Sequence, residues 1–164
     1  MRPILVSSCL LGLKTRYNGT DNYCQTVIDY IKKNQLTPIP VCPEQLAGLS
    51  TPRPKCWFDH GDGATALAGN GKLINENGQE VTKKFIHGAQ ECLKIAQLTH
   101  CSQAILQQRS PSCGSQSIYL NEELVKGVGV TTALLNKNGL KIFSDDNLPP
   151  PKNLKSFASI NKIC

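Results

Sequence analysis

Short, β-branched apolar runs alternate with segments of helical period along most of this chain, and that alternation narrows the fold more than any other feature. "PILVS" (3–7), "PIPVC" (38–42), "QAILQQ" (103–108) and "LKIFS" (140–144) read as strands. Between them, residues 20–35 place Cys24, Val27, Ile28 and Ile31 on one helical face, and residues 81–99 do the same with Phe85, Ala89, Cys92, Leu93 and Ala96. Residues 129–139 form a third helical pattern closed by Gly139. Strands alternating with helices predict βαβ units. The expected fold is therefore α/β, a Rossmann-like, mostly parallel sheet with helices on both faces. Residues 48–63, rich in Pro and Gly, read as an ordered surface loop, and 64–82, with Asn-Gly signals, as a hairpin or irregular excursion. The stretch from Asn147, with three consecutive prolines, reads as irregular. A length of 164 residues without internal repeat predicts a single domain over 1–164.

Eight cysteines, at 9, 24, 42, 56, 92, 101, 113 and 164, are the unusual count. The apolar stretch before Cys9 is shorter than the roughly 7 to 15 residues of a secretory h-region. No apolar run approaches the roughly 18 residues of a membrane span. The expectation is a cytoplasmic protein whose thiols stay reduced, available for metal, catalysis or packing. The net charge of +6 is scattered, and no basic block is interleaved with aromatics, so neither nucleic acid nor membrane is an expected partner. A small molecule is.

Three of the cysteines share one position relative to the strands. Cys9 lies just beyond the first, Cys42 ends the second and Cys113 follows the third. In an open parallel sheet the carboxyl ends of the strands gather where ligands bind. Pro43 suits the first turn of a helix, Glu44 is favoured beside its N-terminus, and the helix dipole is expected to shift the Cys42 thiol toward thiolate. Gly114, directly after Cys113, lets the backbone approach a bulky group, and Ser110 and Ser112 can hydrogen-bond to a thiolate or sulfide. Three thiolates without a fourth partner suit a soft metal centre with one open position. An iron–sulfur cluster on three cysteines fits, with zinc the alternative, although its common CxxC spacing is absent.

"VSSCLLGLKTRYNG" (6–19), "VCPEQLAGLSTPRP" (41–54), "SPSCG" (110–114) and "GVGVTTALL" (127–135) resemble, in order, the motifs of the thiouracil desulfidase family. The resemblance extends over nearly the whole chain. It implies a [4Fe-4S] cluster on Cys9, Cys42 and Cys113 whose unique iron binds the sulfur of a thiocarbonyl, so that water converts thiouracil or a related thioamide to the oxo form with release of sulfide and no net redox change. Under that mechanism Glu44 is the candidate general base or pyrimidine N–H acceptor, and Ser112 orients water or substrate. Ser110, Arg53 and Gly114 are candidates for substrate binding, with Arg53 closing over the site or pairing with Glu44. One departure is Tyr17-Asn18-Gly19, where the resemblance leads us to expect Tyr-Asp-Gly.

The remaining residues read as structural. Cys24 and Cys92 fall on apolar helical faces, Cys101 and Cys164 have nothing to recruit them, and Cys56 sits in the Pro-rich loop. His60, His87 and His100 follow no ligand spacing, and Trp57 and Phe58 either cover a pocket or pack under the loop. Two rival functions remain: a non-catalytic iron–sulfur or zinc module for sulfur handling or redox sensing, and a metal-free small-molecule-binding domain.

Overall fold

In the computed structural model, which describes residues 1–150, strands β1 (Arg2–Ser7), β2 (Leu36–Val41), β5 (Gln103–Leu106) and β8 (Lys141–Ser144) form a four-stranded sheet in the order β2-β1-β5-β8. Every pairing in it is parallel, with Leu5 opposite both Ile39 and Ala104. The chain is therefore an α/β protein, as the alternation predicts. Pro38 and Pro40 are tolerated because β2 is an edge strand, where a missing N–H breaks no ladder.

The two faces of β1 explain the layering. Ile4 and Val6, with Ile105, pack against Val27 and Ile31 of α1 (Gln25–Lys33). Leu5, with Ala104 and Leu106, packs against Cys92 and Ala96 of α4 (Thr82–Leu98) and Leu135 of α5 (Val130–Lys137). Both faces of the strand are apolar because both are covered. Helix α1 starts later than its periodicity suggests: Asp21 Oδ1 accepts the Tyr23 N–H at 3.0 Å, a local turn that holds the chain out of the helix until Gln25.

A second sheet, unforeseen in the sequence, has the order β4-β3-β6-β7. It consists of β3 (Cys56–His60), β4 (Lys72–Asn75), β6 (Ser117–Leu120) and β7 (Glu123–Lys126), and only its β3–β6 pairing is parallel. The supposed loop 48–63 thus contains a strand, and the short helix α3 (Gly63–Leu67) runs from its last residue into the excursion 64–82, where β4 follows. Phe58, Leu73 and Ile118 pack with Phe85, Ala89 and Val130. Helix α4 spans the two cores, its first half against this sheet and its second half against the parallel one. No helix among the described residues is long and apolar enough to cross a membrane. Cys164 and the tail beyond residue 150 lie outside the described residues.

Candidate active site

At the carboxyl ends of β2, β1 and β5, three adjacent strands, the chain leaves the sheet in three different ways. After β1 it makes a single 3-10 turn, Ser8–Leu11, that carries Cys9. After β2, Cys42 caps the one-turn helix α2 (Pro43–Leu46), with Pro43 in its first turn and Glu44 beside its N-terminus. After β5, residues 107–116 form a loop that carries Ser110, Ser112 and Cys113. Cys9, Cys42, Glu44, Arg53, Ser110, Ser112 and Cys113 all line one cavity of about 450 Å³.

Gln108 organises the third segment. Its side chain is buried, and its Oε1 accepts the N–H groups of Arg109, Ser115, Gln116 and Ser117 at 3.0–3.3 Å. Helix α5 holds the same loop from the other side. The N–H groups of Val130 and Thr131 donate to the carbonyls of Pro111 and Ser112 at 3.0 and 2.8 Å, and Thr132 Oγ1 donates to the Cys113 carbonyl at 2.7 Å. Donors that a helix start leaves unmatched are thus spent on the loop. Gly129 permits this approach, since a Cβ there would stand 2.4 Å from the Ser112 carbonyl carbon. That packing explains the second glycine of "GVGVTTALL"; a Cβ on the first, Gly127, would meet the Ile118 side chain at 2.8 Å.

The three thiols are unpaired, as are all seven cysteines among the described residues. Cys113 Sγ lies 3.6 Å from both Ser7 Oγ and Ser112 Oγ. Cys9 Sγ lies 3.5 Å from Gln107 Oε1, and Cys42 Sγ 3.7 Å from the Thr15 carbonyl. Burial pushes the thiols of Cys9 and Cys113 up to about 12 and also raises Cys42. For Cys42 this corrects the expected shift toward thiolate: hydrogen bonds from the α2 backbone favour the anion, but burial outweighs them. Without a positive partner these sulfurs stay protonated, and a metal is the partner that makes buried thiolates stable.

Glu44 is held at both oxygens. Ser112 Oγ donates to Oε1 at 3.1 Å, and Arg53 Nη2 pairs with Oε2. Arg53 is itself buried, donating also to the Thr15 carbonyl at 3.0 Å and Thr51 Oγ1 at 3.1 Å. Of the two roles expected for it, the ion pair with Glu44 is the one observed. Ser110 Oγ accepts the N–H groups of Ser112 and Cys113, each at 3.2 Å, so its hydroxyl shapes the loop. Gly114 is not on the cavity wall. A Cβ there would meet the Ser117 carbonyl oxygen at 2.4 Å, so close packing between loop and β6, rather than proximity to a ligand, requires the glycine.

Cys56 joins the cavity from β3, with its Sγ 3.4 Å from the Pro54 carbonyl and its thiol pushed up to about 12, chiefly by burial. Phe58 is fully buried in the second core, and neither it, Trp57 nor any histidine lines the cavity. Asn18 Oδ1 accepts from Thr20 N and Oγ1 at 3.2 and 2.6 Å, which is turn chemistry away from the cavity. Ser7, Asn22 and Gln107, to which the sequence alone assigns no role, also line the cavity. Their signal was available in part: Ser7 and Gln107 stand at the ends of β1 and β5, beside the strand-end cysteines.

Among the described residues, no group of three or more His, Cys, Asp or Glu side chains is placed to hold a single metal ion. The three thiols line one cavity, and cysteine thiolates are the ligands that an iron–sulfur cluster takes.

Comparison with known proteins bears on the family and the fold. A protein of Bacillus subtilis (strain 168) described as uncharacterized protein YbbK is 36% identical over 148 residues, covering 88% of this chain and 97% of its own. The solved structure of a protein described as the [4Fe-4S]-dependent thiouracil desulfidase TudS is similar with a TM-score of 0.76 and 33% identity, covering 89% of this chain and 92% of that one. The family model for 2-thiouracil desulfurase matches residues 4–147, and the chain belongs to that family.

Proposed function

We propose that this protein is an enzyme that removes sulfur from a thiolated uracil, or a related thioamide, using a [4Fe-4S] cluster held by Cys9, Cys42 and Cys113. The observation that carries the proposal is the sharing of one cavity by three unpaired thiols and the Ser112–Glu44–Arg53 chain. When bound, such a cluster supplies a thiophilic Lewis-acid iron for the thiocarbonyl sulfur. The remaining chemistry falls to the chain. Arg53 fixes one oxygen of Glu44, and the other faces Ser112, within reach of a water or ring N–H. Glu44 accepts the proton from the attacking water, and Ser112 steers both partners. Burial of Arg53 keeps this carboxylate from swinging out to solvent. The free cysteines suit a reducing compartment, and we place the protein in the cytoplasm on that basis.

The test is anaerobic reconstitution with iron and sulfide, followed by incubation with thiouracil. The expected result is about four irons per chain and release of uracil and sulfide in equal amounts, with both iron and turnover falling to background in Cys113→Ala. Iron content unchanged in that variant removes Cys113 from the ligand set. A loaded protein inert toward a panel of thiocarbonyls leaves a non-catalytic iron–sulfur module.

A further inference from the structure

Ser7, the last residue of β1, is 2% exposed, and among the described residues its hydroxyl has two hydrogen-bond partners. Its Oγ accepts the Gln107 backbone N–H at 3.0 Å and lies 3.6 Å from Cys113 Sγ. A serine hydroxyl carries one proton and two lone pairs. The Gln107 amide, fixed in the backbone, can only donate, so it occupies a lone pair and leaves the proton free. The one remaining direction is toward the Cys113 sulfur. Ser112, the other hydroxyl at that sulfur, is not committed in this way. Its proton has Glu44 Oε1 at 3.1 Å and Ser110 Oγ at 2.9 Å as competing acceptors.

We infer that Ser7 is a dedicated O–H···S donor to Cys113, a positioning residue that holds this ligand and sets the reduction potential of the metal centre. The inference rests on the cluster reading given above. A ligating thiolate has no proton to offer, so the hydroxyl is the donor in the loaded protein. Hydrogen bonds to cluster sulfurs stabilise the more negative, reduced state and raise the potential. Ser112 is thereby free to change partners during turnover while the sulfur keeps a donor throughout.

The experiment uses anaerobically loaded wild type, Ser7→Ala and Ser7→Thr, with the potential measured by mediated redox titration. Exchangeable protons coupled to the reduced cluster are compared in light and heavy water by electron–nuclear double resonance. Ser7→Ala is expected to shift the potential to more negative values and to lose one exchangeable coupling, while Ser7→Thr retains both properties. Loss of iron in Ser7→Ala with retention in Ser7→Thr also supports the hydroxyl role. A wild-type potential and unchanged couplings in Ser7→Ala overturn it, as does loss of iron in both variants, which assigns the effect to packing. Wild-type protein that binds no cluster overturns the cofactor reading itself, a result separable from failure at Ser7.

Discussion

The two sheets contribute to the cavity in different ways. The parallel sheet delivers Cys9, Cys42, Glu44, Ser112 and Cys113 from the carboxyl ends of three neighbouring strands, each through a short, hydrogen-bonded turn. The second sheet delivers Cys56 and Tyr119 from the body of β3 and β6, plus the preceding segment with Arg53 and Lys55. One sheet places chemistry at strand ends, and the other supplies a wall. Burial does not separate the two: Cys56 is a thiol raised to about 12, like Cys9 and Cys113. Cys113 alone among these thiols has two hydroxyls beside it, whereas Cys56, like Cys42, has a backbone carbonyl.

The largest expected effect tests that division directly. Glu44→Gln should lower kcat about 10²- to 10⁴-fold with iron content unchanged, the usual worth of a general base. Cys56→Ala, its counterpart on the other wall, should leave iron content unchanged and turnover within the same order of magnitude. Iron analysis and steady-state kinetics on both variants decide it; iron lost from Cys56→Ala would make the second sheet a ligand source and erase the distinction.

A second test concerns the buried thiols of the metal-free protein. Their folded values are raised, so above 9.0 the unfolded chain gives up protons that the folded chain retains. The stability they contribute is therefore present below 9 and lost as pH rises toward about 12. Denaturant midpoints should fall over that window, and less steeply in a Cys9→Ala, Cys113→Ala double variant. Parallel curves for the two proteins would mean that these sulfurs are no drier than those of the unfolded chain.

A smaller effect is expected at Gln108. Removing its amide leaves the N–H groups around it without their acceptor, so Gln108→Ala should cost about 1–3 kcal/mol of stability in denaturant unfolding. Gln108→Glu, which keeps an oxygen there, should lose less. Equal losses would assign the role to side-chain volume.

How legible this was depends on local signals. The parallel sheet announces itself because β1 and β5 are buried and their sequences are correspondingly apolar, and the strand-end cysteines follow from it. The second sheet does not. "CWFDH" is hidden among prolines and glycines, and the β6–β7 turn is made by Asn121 and Glu122, both at positive φ without a glycine to mark them. Gly114 is marked in the sequence only by adjacency to Cys113, and adjacency cannot tell a residue on a cavity wall from one packed behind a loop; Ser110 both lines the cavity and shapes the loop. Gln108 was opaque for a related reason: its partners are backbone amides seven to nine residues on, and no residue type encodes them.

The grip of α5 on the Pro111–Cys113 carbonyls has a consequence for how the centre is loaded and lost. Cys113 cannot swing outward on a private hinge, because moving its carbonyl strips the hydrogen bonds of the first turn of the helix. If Cys113 holds the proposed cluster, release of iron by withdrawal of this segment would be a partial unfolding event, with the cost of unravelling the start of α5 as its barrier. Amide exchange at Val130 to Thr132 should then keep time with iron loss, so that the helix behaves as a latch on the metal although none of its side chains lines the cavity.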